Sequence, residues 1–333
     1  MAFEGSVGRV ERIGRERLVP ARLSEKAPIR HLDPTLVIMS LLLAGFGALM
    51  VYSATYARLE DNGLPPRYYL DRQLIFAAVG VIAMGVLAVF SYRKLKAWAW
   101  LAYAVGVLLL IAVLSPAGTK VAGAQRWIAI GIFQIQPSEI AKLALIITLA
   151  AVLGERKGSP ETIDVFKCIV LVAVPALFVY MQPDLGTLLV MLAILGGMLL
   201  VSGTRMRLLI VMVMLGVIAF WGILHLGLLK DYQVARFTAF LDPRSDPQRT
   251  GYNLAQSKIA IGSGQFTGRG LFNGTQTNLR FVPEQHTDFI FTAVGEELGF
   301  LGAGLFVVMF GFFVWRGVRI AMMAKDHFGT LLA

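Results

Sequence analysis

A succession of apolar runs, each long enough to cross a bilayer, constrains this chain more than any other feature. With a window of about 19 residues they fall near residues 36–54, 73–91, 97–115, 137–154, 166–181, 184–202, 207–228 and 288–315. Lipid offers no partner to backbone N–H and C=O groups, so runs of this length are helices. The expected fold is therefore all-α, a polytopic transmembrane helix bundle of about eight spans. With 56% hydrophobic and 16% charged residues, the chain of 333 residues is too apolar to wet the surface of a soluble domain.

The net charge of +10 would fit a nucleic-acid partner only if the cations lined one face, and they do not. They sit at the ends of the apolar runs: Arg93, Lys94 and Lys96 after the second, Arg156 and Lys157 after the fourth, Arg205 and Arg207 after the sixth, and Arg316, Arg319 and Lys325 after the last. Residues 1–33 add Arg9, Arg12, Arg15, Arg17, Arg22, Lys26 and Arg30 without an apolar core, which excludes a signal peptide and leaves a basic, disordered tail. When the spans alternate, all these segments share one side, and the positive-inside rule makes it cytoplasmic. The remainder, 34–333, is expected to be one transmembrane domain whose longest connector, 229–287, is a folded extracytoplasmic loop. Within that loop Leu241 to Pro247 resembles a turn, and Tyr252 to Ile261 an amphipathic helical piece. The single cysteine, Cys168, cannot form an intramolecular disulfide.

Ionisable groups at membrane depth mark candidate sites. Pro137 and Glu139 suit the first turn of a helix, which fully accounts for both. Lys142 opposes the helix dipole there, so an ion pair with Glu139 lining a wet cavity is the alternative. Trp127, near Arg126, is either an interfacial anchor or part of that cavity. Asp184 reads first as the cap of the next helix. Gly262, Gly264, Gly268, Gly270 and Gly274 lack the Lys-Ser/Thr ending of a phosphate loop and read as turn formers. Thr287 or Asp288 can cap the last span; alternatively, Asp288, Thr292, Gly295 and Gly299 form one helical stripe with a carboxylate at its top. Glu296 and Glu297 lie deeper, and at least one needs a protein partner. The four histidines show no metal-ligand spacing.

Gly123-Ala124-Gln125-Arg126-Trp127, Gln136-Pro137-Ser138-Glu139-Ile140-Ala141-Lys142, Gln182-Pro183-Asp184-Leu185-Gly186-Thr187 and Pro283-Glu284-Gln285-His286-Thr287-Asp288-Phe289-Ile290-Phe291 together resemble the SEDS family (shape, elongation, division, sporulation) of cell-wall polymerases. Gln256 to Gly264 and Gly274 to Thr277 resemble its RodA branch more than its FtsW branch. The resemblance implies a peptidoglycan glycosyltransferase of the bacterial inner membrane that polymerises lipid II during cell elongation and releases undecaprenyl pyrophosphate, with its active site outside the cytoplasm. It implies that Asp288 is the essential aspartate and general base, that Trp127, Glu139 and Lys142 belong to a central cavity, and that Asp184 is a motif residue. Lys142, Arg126 and Arg244 are candidates to offset pyrophosphate charge, as is a divalent cation, Mg or Mn. The implied partners are a class B penicillin-binding protein transpeptidase and other membrane proteins of the elongation complex. A precursor flippase and a non-catalytic scaffold of the wall-synthesis complex are the alternative readings. Because about ten spans are typical of the family, the end of this chain at Gly329 to Ala333 implies a C-terminally truncated member.

Overall fold

A computed structural model describes residues 32–121, 124–131, 133–156, 158–225, 250–279, 281 and 285–333. The basic tail up to residue 31 and the first part of the long connector, including its predicted turn at 241–247, lie outside the described residues.

Every predicted span corresponds to a helix. They are α1 (Pro34–Asp61), α2 (Tyr68–Val89), α3 (Tyr92–Leu114), α4 (Pro137–Gly154), α5 (Thr162–Met181), α6 (Leu185–Val201), α7 (Met206–His225) and, after the connector, α10 (Ile290–Met322). Six of these meet the length and composition of a membrane span, while Leu185–Val201 and Met206–Ala219 are shorter apolar stretches. Between α7 and α10 lie α8 (Thr250–Ser263), where the amphipathic piece was expected, and the single turn α9 (Thr275–Asn278); α11 (His327–Leu332) follows α10.

Local chemistry sets the helix starts. Asp33 caps α1 by accepting from Thr35 N at 3.0 Å and Leu36 N at 3.2 Å, with Pro34 in the first turn. Glu161 and Asp164 form a reciprocal capping box on α5. At α10 the N-cap position falls on Phe289, whose side chain makes no capping bond, and not on Thr287 or Asp288 as expected.

The sequence did not reveal a three-stranded antiparallel sheet between α3 and α4: β1 (Gly118–Val121), β2 (Ala124–Ile130) and β3 (Phe133–Ile135), in the order β1-β2-β3. Thr119 faces Trp127 and Ile128 faces Ile135, with a register shift between Thr119 and Lys120. β1 and β3, with four and three residues, are too short to carry a clear period of two, which leaves the seven-residue β2 without readable partners.

Two buried cores organise the helices. Leu110, Leu145, Leu149, Cys168, Met191 and Leu199 centre one of them on α3 to α6, where α4 is the most enclosed helix. The other joins α1 to α10 through Met50, Ala293, Val294 and Ala303. By contrast α2 buries no residue, and Val79, Ile82 and Leu87 stand outward on it, as lipid-facing side chains do.

The basic helix ends gather at one end of the bundle and several are ion-paired. Arg316 at the end of α10 meets Asp33 at 2.6 Å, and Arg93 at the start of α3 meets Asp326 at 3.1 Å. Asp326 also caps α11 by accepting from Gly329 N at 2.7 Å and from the Tyr92 hydroxyl at 3.0 Å. Burial alone would raise the Asp326 carboxyl, but these donors and Arg93 hold it below its ordinary 3.8. A depressed carboxylate contributes stability that is complete above the unfolded value and drains away as pH falls through the folded one. Docking of α11 is thus expected to persist at neutral pH and to loosen only in strong acid. Proteolysis around residue 325 at pH 6 and pH 3 measures this, and Asp326→Asn should loosen α11 at both.

Candidate functional site

Two constellations of polar side chains occupy the end of the bundle opposite the basic helix termini. The first is built on β2, the α5–α6 turn and the start of α4. Arg126 in β2 reaches the α5–α6 turn, donating from Nε to Gln182 O at 3.1 Å and from Nη2 to Pro183 O, while Nη1 lies 3.9 Å from Asp184 Oδ1. Asp184 itself caps α6, accepting from Thr187 N at 3.3 Å and from the Thr187 hydroxyl at 3.0 Å. Gln136 adds a long contact of 3.5 Å to Asp184 Oδ2. The guanidinium fork thereby holds the turn between two spans, a task a point charge on lysine performs poorly. Arg126→Lys is expected to lower the thermal midpoint by a few degrees, at about 1–3 kcal/mol for hydrogen bonds to a charged donor, and a melting curve checks it.

One turn into α4, Lys142 Nζ and Glu139 Oε1 form the expected i,i+3 ion pair at 2.8 Å. The lysine is the more enclosed partner, with 20% of its side chain exposed against 58% for the glutamate. A mostly exposed carboxylate beside a half-buried cation leaves the cation able to face an anion brought from outside. Trp127 is part-buried in β2, its carbonyl accepting from the Thr119 hydroxyl at 3.1 Å.

The second constellation lies around the start of α10. Asp288 is exposed in the turn 285–289, and among the described residues its carboxylate makes no hydrogen bond or ion pair. The His286 ring packs 4.7 Å from Tyr69 of α2. The predicted stripe of Asp288, Thr292, Gly295 and Gly299 is not formed: Asp288 precedes the helix, and Gly299 breaks it with φ 65° and ψ −165°. At the break the glycine-rich turn following α8 inserts its backbone. Arg269 N and Gly270 N donate to the carbonyls of Glu296 and Glu297 at 3.1 and 2.9 Å, while Phe300 N and Leu301 N donate to Gln265 O and Phe266 O at 2.9 and 3.1 Å. These bonds satisfy the groups that a broken helix would otherwise leave unpaired.

Both buried glutamates find protein partners. Glu296 accepts from Gln276 N at 2.7 Å, Thr277 N at 2.9 Å and the Thr277 hydroxyl at 2.7 Å. Glu297 Oε2 accepts from the Ser53 hydroxyl of α1 at 2.6 Å, and Ser53 Oγ accepts in turn from Phe272 N at 2.8 Å.

Of the predicted site residues, the structure brings Arg126 to Asp184 and Lys142 to Glu139. It brings Asp288 into direct contact with none of them among the described residues. Arg244 lies outside the described residues. Sequence reasoning missed Gln285 and Thr277, whose amide and hydroxyl join Glu296 to the Asp288 turn, although a Gln three residues before Asp288 was in view. Among the described residues, no group of three histidine, cysteine or acidic side chains converges to hold a metal ion.

Residues 34–333 match the family profile described as cell cycle protein, FtsW/RodA/SpoVE. The peptidoglycan glycosyltransferase MrdB of Escherichia coli K12 is 40% identical over 305 residues, covering 91% of this chain and 79% of that protein. Stage V sporulation protein E of Bacillus subtilis is 38% identical over 307 residues, covering 90% and 82%. Among solved structures, a chain of a peptidoglycan synthase complex that coordinates polymerization and crosslinking superposes with a TM-score of 0.73 at 27% identity, covering 91% of this chain and 82% of that one. The rod shape determining protein RodA of Thermus thermophilus gives a TM-score of 0.63 at 25% identity, covering 91% and 79%.

Proposed function

The chain belongs to the FtsW/RodA/SpoVE family of cell cycle proteins, the SEDS family, and on that premise we infer that it is a RodA-like peptidoglycan glycosyltransferase of the bacterial inner membrane. Its substrate is lipid II, its product a glycan strand made during cell elongation, and its leaving group undecaprenyl pyrophosphate. The observation that carries the chemical reading is the exposed Asp288 carboxylate in the turn 285–289, at the end of the bundle away from the basic helix termini. The positive-inside rule puts those basic termini in the cytoplasm and Asp288 outside it.

In the proposed step, a sugar hydroxyl of one lipid-linked disaccharide attacks the anomeric carbon of another. Asp288 takes the hydroxyl proton as the new C–O bond forms, and the bond to pyrophosphate breaks with its electron pair leaving on the pyrophosphate oxygen. Lys142 of α4, with Arg126 of β2 and Arg244 from the long connector, offsets the charge that develops there. Trp127 and Glu139 flank that site, and Asp184 acts through the turn it caps. Among the described residues no three histidine, cysteine or acidic side chains converge to hold a metal ion; a divalent cation, Mg or Mn, would supply a further counter-charge to the pyrophosphate. Chelation followed by readdition of either ion tests whether turnover depends on one.

The likeness to a peptidoglycan synthase complex supports partnership with a class B penicillin-binding protein and, through it, with other elongation-complex membrane proteins. The deciding experiment supplies the purified protein with lipid II and resolves the products by length. Glycan strands are expected. Movement of labelled lipid II across vesicles without strand formation would replace the polymerase reading with transport, and neither result would leave a scaffold.

A further inference from the structure

We propose that Gln285, Thr277, Thr292 and Glu296 form a positioning network that fixes the Asp288 carboxylate for proton transfer; the proposal rests on the reading of Asp288 as the base. Phe289, at the N-cap of α10, makes no side-chain capping bond, and the Asp288 carboxylate is exposed without a hydrogen bond or ion pair among the described residues. A base held by nothing would sample many positions, and a displacement of about 1 Å is enough to cost about 10²-fold in rate. The stakes that hold the turn come from side chains around it.

Gln285 opens the turn and is buried, with 6% of its surface exposed. Its amide donates at 2.9 Å to the Thr277 hydroxyl of α9 and at 2.9 Å to the Thr292 hydroxyl of α10. An acceptor hydroxyl still has one proton to give, and both protons are used. Thr277 passes its own to Glu296 Oε2 at 2.7 Å, and Thr292 passes its own to Phe289 O at 2.7 Å, at the far end of the same turn. Each hydrogen therefore has one acceptor, and the direction of every bond is set by Gln285 having only donors on its nitrogen and Glu296 only acceptors. Both ends of the five-residue turn 285–289 are thus tied, and the whole assembly is anchored on a carboxylate with 0% exposure. Both amide hydrogens of Gln285 and both threonine hydroxyls are used, and a buried network so connected rigidifies what it touches. The residues of the network do not contact the reacting atoms; they act through Asp288.

The test uses the purified full chain, lipid II as the substrate, and a thermal melt on every variant. Thr277→Val keeps the shape and removes the hydroxyl; Thr277→Ser restores it; Gln285→Met breaks the same chain from the other side. In Thr277→Val and Gln285→Met kcat is expected to fall by about 10–100-fold with KM within about 2-fold, as for loss of an arrangement needed only in the transition state. Thr277→Ser is expected within about 3-fold of the parent. A folded Thr277→Val that turns over at the parental rate, beside an inactive Asp288→Asn, overturns the network and leaves the base reading standing. An active Asp288→Asn removes the base reading and the network with it. Loss of activity only alongside loss of folding, a rise in KM at constant kcat, or no recovery in Thr277→Ser assigns these residues a structural role and overturns the proposal.

Discussion

Asp288→Asn is expected to yield a protein that inserts and melts like the parent but polymerises lipid II about 10²–10⁴-fold more slowly, the usual contribution of a positioned general base. Asparagine has nearly the same shape and cannot take a proton. Because the Asp288 side chain is exposed and makes no hydrogen bond among the described residues, the change orphans no partner, so the fall in rate cannot be charged to lost stability. The loss should appear in kcat with KM nearly unchanged, since the proton moves only as the new bond forms. Turnover under saturating lipid II and a melting curve on the same preparation are the two measurements. A variant that forms strands at the parental rate would remove Asp288 from the chemistry whatever its place in the family motif.

The spans and their alternation were legible because lipid makes one demand on every segment, and a window over the sequence detects it. Capping by Asp184 and the ion pair of Lys142 with Glu139 were legible for a related reason: both are set by residues three apart on one helix. What escaped depended on distant contacts. The helical stripe from Asp288 to Gly299 assumed a continuous helix, and the break at Gly299 lies against the turn containing Gly268, outside that helix. Sequence separation also hid the partners of the buried glutamates: Thr277 is 19 residues from Glu296 and Ser53 is 244 from Glu297. Arg126 looked like a cavity cation, yet much of its hydrogen-bonding capacity is spent on the carbonyls of Gln182 and Pro183. Its strand β2 has seven residues, but its neighbours in the sheet have only four and three, too few to show a clear period of two. Gly264, Gly268 and Gly270 were correctly read as turn formers, whereas Gly262 lies within α8 and Gly274 stands at the N-cap of α9; what the turn accomplishes needed the structure.

That turn supports the second large prediction, that Gly268→Ala and Gly299→Ala each prevent the chain from accumulating as a folded, monodisperse protein. Gly299 has φ 65° and ψ −165°, a region open in practice only to glycine. A Cβ there would stand 2.2 Å from Gly268 N, and one on Gly268, at φ +82°, would stand 2.1 Å from Glu297 O. In both cases the obstacle is backbone, which cannot rotate aside. Pushing the turn away would also strand the carbonyls of the buried Glu296 and Glu297 and the N–H groups of Phe300 and Leu301, and an unpaired buried backbone group is costly. Strain and orphaned groups together exceed about 4 kcal/mol, the range in which single substitutions become exceptional. Gly304→Ala supplies the control, because its Cβ meets nothing within 4 Å on the same helix, and a gain of helix propensity makes it neutral or slightly stabilising. If Gly299→Ala were recovered folded, α10 would have to run straight through the break. Gly268 would then lose its seat, Glu296 would turn away from Thr277, and the Asp288 turn would lose its anchor, so polymerisation should fail even where the bundle survives.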